Sequence, residues 1–87
     1  MLYHLFWYSR GMNQSTLQIS ELVRALRHRL GLSQEKLAAR LGVSFQTVNR
    51  WERGRVNPSP MAMKILEHQV RQMGERGADL LEAYFSE

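Results

Sequence analysis

The sequence predicts an all-α fold of four to five helices, and three observations carry that prediction. Apolar residues recur at helical three- and four-residue steps through most of the chain. Serines stand just before the periodic stretches and glycines just after them, which is the chemistry of helix starts and stops. Finally, Gln34 to Glu52, QEKLAARLGVSFQTVNRWE, meets position by position what two short helices crossing at a steep angle require.

From Ser20 the periodicity is helical: Ile19, Val23, Leu26 and Leu30 form the stripe, and Gly31 ends it. Ser33 caps a second helix, Gln34 to Leu41. Lys36 stands where a capping box would place Glu, so only half of that box is present. Ala38 supplies the small residue where the two short helices touch. Gly42, tolerant of φ > 0, makes the turn with Val43. Ser44 caps a third helix, Phe45 to about Arg53, which Gly54 terminates. Leu37, Leu41, Val43, Val48 and Trp51 fall on the face that must be sealed. After the loop Arg55-Val56-Asn57-Pro58, Ser59 caps a fourth helix with Pro60 at its first position, where a missing N–H costs nothing. That helix should run from Met61 to about Met73 and bury Met61, Ile65, Leu66, Val70 and part of Gln69. Gly74 and Gly77 bracket a short break. A last helical turn or two, Ala78 to Phe85, presents Leu80, Leu81, Tyr84 and Phe85. The chain thus divides into an N-terminal extension (1–17), a helical domain (18–73) and a C-terminal tail (74–87) that closes the core or mediates dimerisation.

Residues 1–12, MLYHLFWYSRGM, differ from the rest: they are aromatic-rich and lack helical periodicity. The apolar run Leu5 to Tyr8 is too short to span a membrane, and no basic stretch precedes it as in a signal peptide. Two readings stand. The stretch is an arm or strand that packs on the domain or a partner, or the natural start is Met12; the second is preferred.

Eighty-seven residues make one small domain with a single modest core. The absence of cysteine excludes disulfides and thiolate metal sites and fits a reducing compartment. His4, His28 and His68 have no ligand spacing, so no metal is expected. Residues 18–64 carry nine Lys/Arg against three Glu, whereas residues 65–87 carry two Arg against five acids. The positive charge is therefore concentrated around the paired short helices, as a phosphate-facing surface requires. No Gly-rich phosphate loop, metal constellation or nucleophile motif is present, and Glu35 and Glu52 fall on different elements. An enzyme is not expected, nor is a cofactor.

Gly-Leu-Ser-Gln at 31–34, Leu37-Ala38, Leu41-Gly42-Val43-Ser44, Trp51-Glu52-Arg53-Gly54 and Asn57-Pro58-Ser59 together resemble the phage repressor/Cro-type (Xre-like) helix-turn-helix domains. The resemblance covers Gln18 to Leu66, a little over half of the chain. It implies a compact lambda-repressor-like bundle whose third helix reads double-stranded DNA. It also implies a small prokaryotic transcriptional regulator, cytoplasmic and nucleoid-associated, that binds as a homodimer without a cofactor. Such domains also resemble antitoxins, restriction controllers and targeting modules, so a protein partner met through the C-terminal tail is the rival reading.

Burying Val48 and Trp51 turns Phe45, Gln46, Asn49, Arg50 and Arg53 outward. Gln46 is suited to adenine, Arg50 to guanine O6/N7, and Asn49 to adenine or a phosphate. Phe45 meets thymine methyls or lies half-buried against the loop that follows. Ser44 and Thr47 are placed for phosphate, Thr47 alternatively for a thymine methyl. Arg53 and Arg55 should meet the sugar-phosphate backbone or a narrow minor groove, and Asn57 a phosphate. Arg24, Arg29, Lys36 and Arg40 are open between solvated charge and contact. The family resemblance adds two assignments. Gln34, at the start of the second helix, would hold a phosphate. Arg27 and Glu52 match the positions of a buried ion pair between the first helix and the end of the third.

Overall fold

The computed structural model describes residues 16–86, with Thr16 and Leu17 described by their backbone alone. The expected arm and the alternative start at Met12 lie outside the described residues. Five α-helices follow in order: α1 (Thr16–Leu30), α2 (Gln34–Leu41), α3 (Phe45–Glu52), α4 (Pro60–Gln72) and α5 (Ala78–Phe85). A 3₁₀ turn, Gly74–Gly77, joins the last two. No strand occurs among the described residues.

Local chemistry sets the starts of the middle helices. Ser33, Ser44 and Ser59 sit in extended backbone, and each side chain accepts a bond from the N–H three residues on. Each cap thereby satisfies one of the donors a helix start leaves orphaned. Gly42 takes φ +79°, and its N–H and that of Val43 both return to the carbonyl of Ala38, at 2.9 and 3.0 Å. This left-handed closure turns the chain tightly between α2 and α3.

Leu22, Val23, Leu26, Leu37, Val48, Leu66 and Val70 are fully buried, and Ile19, Ala38, Leu41, Trp51, Ala62 and Leu80 nearly so. α3 packs against both α1 and α2, while α5 and the 3₁₀ turn lie on α4. Four expectations need correction. α1 begins at Thr16, four residues before Ser20, and Leu22 belongs to its inner stripe while Leu30 is only half-buried. α3 ends at Glu52, with Arg53 as its cap residue. Val43 packs against the core but is only half-buried, at the edge of the inner face. Met61 is 73% exposed, and Ala62 takes the inner position instead. Counting back by helical turns from the buried Leu66 and Val70 leads to position 62, not 61.

The tail turns onto the core. Leu80 is buried, and Leu81, Tyr84 and Phe85 pack against the same cluster. Gly77 permits this approach, because a Cβ there would stand 2.5 Å from the carbonyl oxygen of Val70. The tail is also held from α1. Arg29 grips the Asp79 carboxylate with two bonds of 2.7 and 2.9 Å and donates to the Arg76 carbonyl at 2.8 Å. Arg76 in turn donates to the carbonyl of Arg29. Hydrogen bonding to the Arg29 guanidinium holds the Asp79 carboxyl well below its ordinary range, at about 2. No described helix is long and apolar enough to cross a membrane.

Candidate nucleic-acid interface

α3 is eight residues long, and its two faces differ sharply. Val48, Trp51 and Glu52 are buried on one side. Phe45, Gln46 and Arg50 are exposed on the other, with Arg53 exposed just beyond the helix end. Asn49 and Thr47 are half-buried between the two sides. Phe45 is 42% exposed. The Thr47 hydroxyl pairs with that of Ser44 at 2.8 Å, and the Thr47 N–H bonds to the Ser44 Oγ at 3.1 Å, so both residues take part in the cap that starts the helix. Arg55, Val56 and Asn57 are exposed in the loop after α3, and Pro58 is buried there. Lys36 and Arg40 are exposed on α2.

The helix is fixed to its neighbours by a polar cluster. Arg27, from α1, donates Nε to Glu52 Oε2 at 2.6 Å and Nη2 to Oε1 at 3.0 Å. A third donor of Arg27, Nη1, reaches the Leu32 carbonyl at 3.2 Å, so the same guanidinium also secures the link between α1 and α2. The planar fork matches the carboxylate, and Glu52 is only 4% exposed. Hydrogen bonding to Glu52 raises the Arg27 pKa; burial opposes that, and the charge of Glu52 reinforces it. No described buried side-chain polar atom lacks a partner. The cluster therefore meets the condition under which a buried pair is tolerated.

Two members of this cluster were not foreseen in their roles. Arg24 donates Nη1 to the backbone carbonyl of Glu52, so it caps the C-terminal end of α3 instead of standing free. Its spacing of three from Arg27 places both on one face of α1, a signal the sequence did carry. Arg29, a second of the arginines left open, is committed to α5. Gln34 turns its side chain inward: Nε2 donates to Glu52 Oε1 at 3.0 Å, and Oε1 accepts from Asn49 Nδ2 at 3.2 Å. One amide hydrogen and the backbone N–H at the first position of α2 remain for a phosphate.

The geometry therefore presents a short helix whose inner face is locked by apolar packing and an ion pair. Its outer face offers an aromatic ring and an amide in the first turn and a guanidinium in the next. Exposed cations, Arg53 and Arg55, follow immediately after it. These are the parts a major groove and its flanking phosphates would engage.

Comparison with known proteins agrees with this arrangement. An uncharacterized HTH-type transcriptional regulator of Methanothermobacter thermautotrophicus is 47% identical over 49 residues, covering 56% of this chain and 65% of the relative. An HTH-type transcriptional regulatory protein of Pyrobaculum aerophilum is 37% identical over 71 residues, covering 82% of this chain and 27% of the relative. An uncharacterized transcriptional regulator in the ATPase CF(0) region of Rhodospirillum rubrum is 43% identical over 47 residues, covering 54% and 44%. The chain thus spans less than two thirds of the length of each. No solved structure gives a significant match. The profile of the helix-turn-helix family HTH_3 matches residues 23–69, from α1 into α4, and the chain belongs to that Cro/C1-type helix-turn-helix family.

Proposed function

We propose that this chain is a sequence-specific double-stranded DNA-binding protein, acting as a small transcriptional regulator in the compartment that holds the DNA. α3 enters the major groove. Gln46, Asn49 and Arg50 read base edges, with Phe45 against thymine methyls. Gln34, Ser44, Thr47, Arg53, Arg55 and Asn57 meet the sugar-phosphate backbone. The observation that carries this reading is the division of α3. Val48, Trp51 and Glu52 immobilise one side, while Phe45, Gln46 and Arg50 stand exposed on the other. The exposed amide and guanidinium are the side chains that pair with base edges in a major groove, and the 42% exposed Phe45 ring lies beside them. Family membership and the similarity to transcriptional regulators support the same reading.

Binding as a homodimer to a two-fold site follows from this class of domain, with half-site centres about one helical turn, roughly 34 Å, apart. The decisive experiment is selection of bound duplexes from a random pool at near-physiological salt, followed by sequencing. An enriched inverted repeat is the expected result. A single enriched half-site would remove the dimer and leave a monomeric reader. Binding without any enrichment would overturn sequence-specific recognition.

A further inference from the structure

The Glu52–Gln34–Asn49 chain of hydrogen bonds has a direction, and the direction is set from inside the protein. Glu52 Oε1 accepts from Arg27 at 3.0 Å and from Gln34 Nε2 at 3.0 Å. An ionised carboxylate can only accept. Gln34 must therefore turn its NH₂ toward Glu52 and its carbonyl oxygen the other way. That oxygen receives Asn49 Nδ2 at 3.2 Å, so the Asn49 amide is turned in its own right. One N–H of Asn49 is consumed, and its carbonyl oxygen and second N–H are left for a ligand.

We propose that Gln34, oriented by the buried Glu52 carboxylate, is a positioning residue that fixes the Asn49 amide and so makes Asn49 select adenine over guanine. The inference rests on the DNA-reading function proposed above and deepens it. Adenine offers the major groove one acceptor, N7, and one donor, N6–H₂; guanine offers two acceptors, N7 and O6. An amide restricted to one outward N–H and an outward carbonyl complements the first pattern. Against guanine the carbonyl would face a second acceptor. Released from Gln34, the same amide can rotate its carbonyl away and donate one N–H to guanine O6 or N7, so discrimination between the purines is weakened. Gln34 thus carries sequence information without touching a base.

The test uses the full chain. Selection with the wild-type protein defines the site, and Asn49→Ala identifies the base pair that Asn49 reads. Affinities for A·T and G·C at that pair are then measured for wild type, Gln34→Met, Asn49→Ala and the double variant, alongside their melting. A bidentate contact accounts for roughly 5- to 150-fold discrimination. Gln34→Met, which keeps the length of the side chain and removes the amide, should lose most of that factor at this pair alone. It should change the discrimination no further on the Asn49→Ala background. An equal loss for both duplexes, with additive effects in the double variant, would make Gln34 a phosphate contact only and overturn the proposal while leaving DNA reading intact. Failure of the wild type to enrich any sequence would overturn both. If Gln34→Met does not fold, the side-chain amide resonances of the free wild-type protein decide. The relay predicts ordered Gln34 and Asn49 amides before DNA is added, and freely averaging ones would refute it.

Discussion

Glu52 accepts four hydrogen bonds from three residues of α1 and α2: two from Arg27 and one from Gln34 at its carboxylate, and one from Arg24 at its carbonyl. Removing the carboxylate would strand the Arg27 charge, 18% exposed, at a cost of about 3–5 kcal/mol. Glu52→Ala should therefore lower the melting midpoint by more than roughly 10 °C, and DNA binding should fail because the fold fails. Normal melting with lost binding would show the opposite order of cause. The exposed arginines should separate differently. Arg50→Ala should cost about 1–3 kcal/mol and relax preference at one base pair. Arg55→Ala should weaken all duplexes alike and reduce the salt slope by about one. Competition binding with single-base variants of the selected site distinguishes the two. At this scale the sequence showed which face of α3 is outward, because Val48 and Trp51 fix its phase. It did not show the Gln34 relay, since partners 15 and 18 residues apart leave no local period.

Among the elements, starts and turns were legible because their causes are local. Ser33, Ser44, Ser59 and Gly42 each act within three or four residues of themselves. The inner face of the first turn of α4 was misjudged by one position, since an apolar Met61 is no less plausible than Ala62 until the phase of Leu66 and Val70 is imposed. The attachment of α5 was illegible, for Arg29 and Asp79 are 50 residues apart. That attachment makes a pH prediction. The Asp79 carboxyl lies at about 2 in the folded chain, below its ordinary value near 3.9. Its contribution to stability is present above about pH 4 and is lost as pH falls toward 2. The melting difference between wild type and Asp79→Asn should be constant from about pH 5 to 7 and shrink between about pH 4 and 2. A difference that persists unchanged to pH 2 would mean the pair does not stabilise the docked tail.

Over the whole molecule, charge is segregated along the chain: residues 18–64 are strongly basic, and residues 65–87 are acidic. If about 6–10 phosphates are neutralised, affinity should fall on the order of 10³–10⁵ between about 50 and 200 mM salt. Titration by fluorescence anisotropy checks this, and a flat response would remove the electrostatic part of the interface. The burial of Trp51, at 4% exposure, has a spectroscopic consequence. With Trp7 replaced by Phe, all indole emission would come from a ring enclosed in the core on the inner side of α3. Its emission maximum should lie at short wavelength, shift to the red when the chain unfolds, and stay in place when DNA docks on the outer side. The protein thus contains an optical probe of its folding that is blind to its ligand.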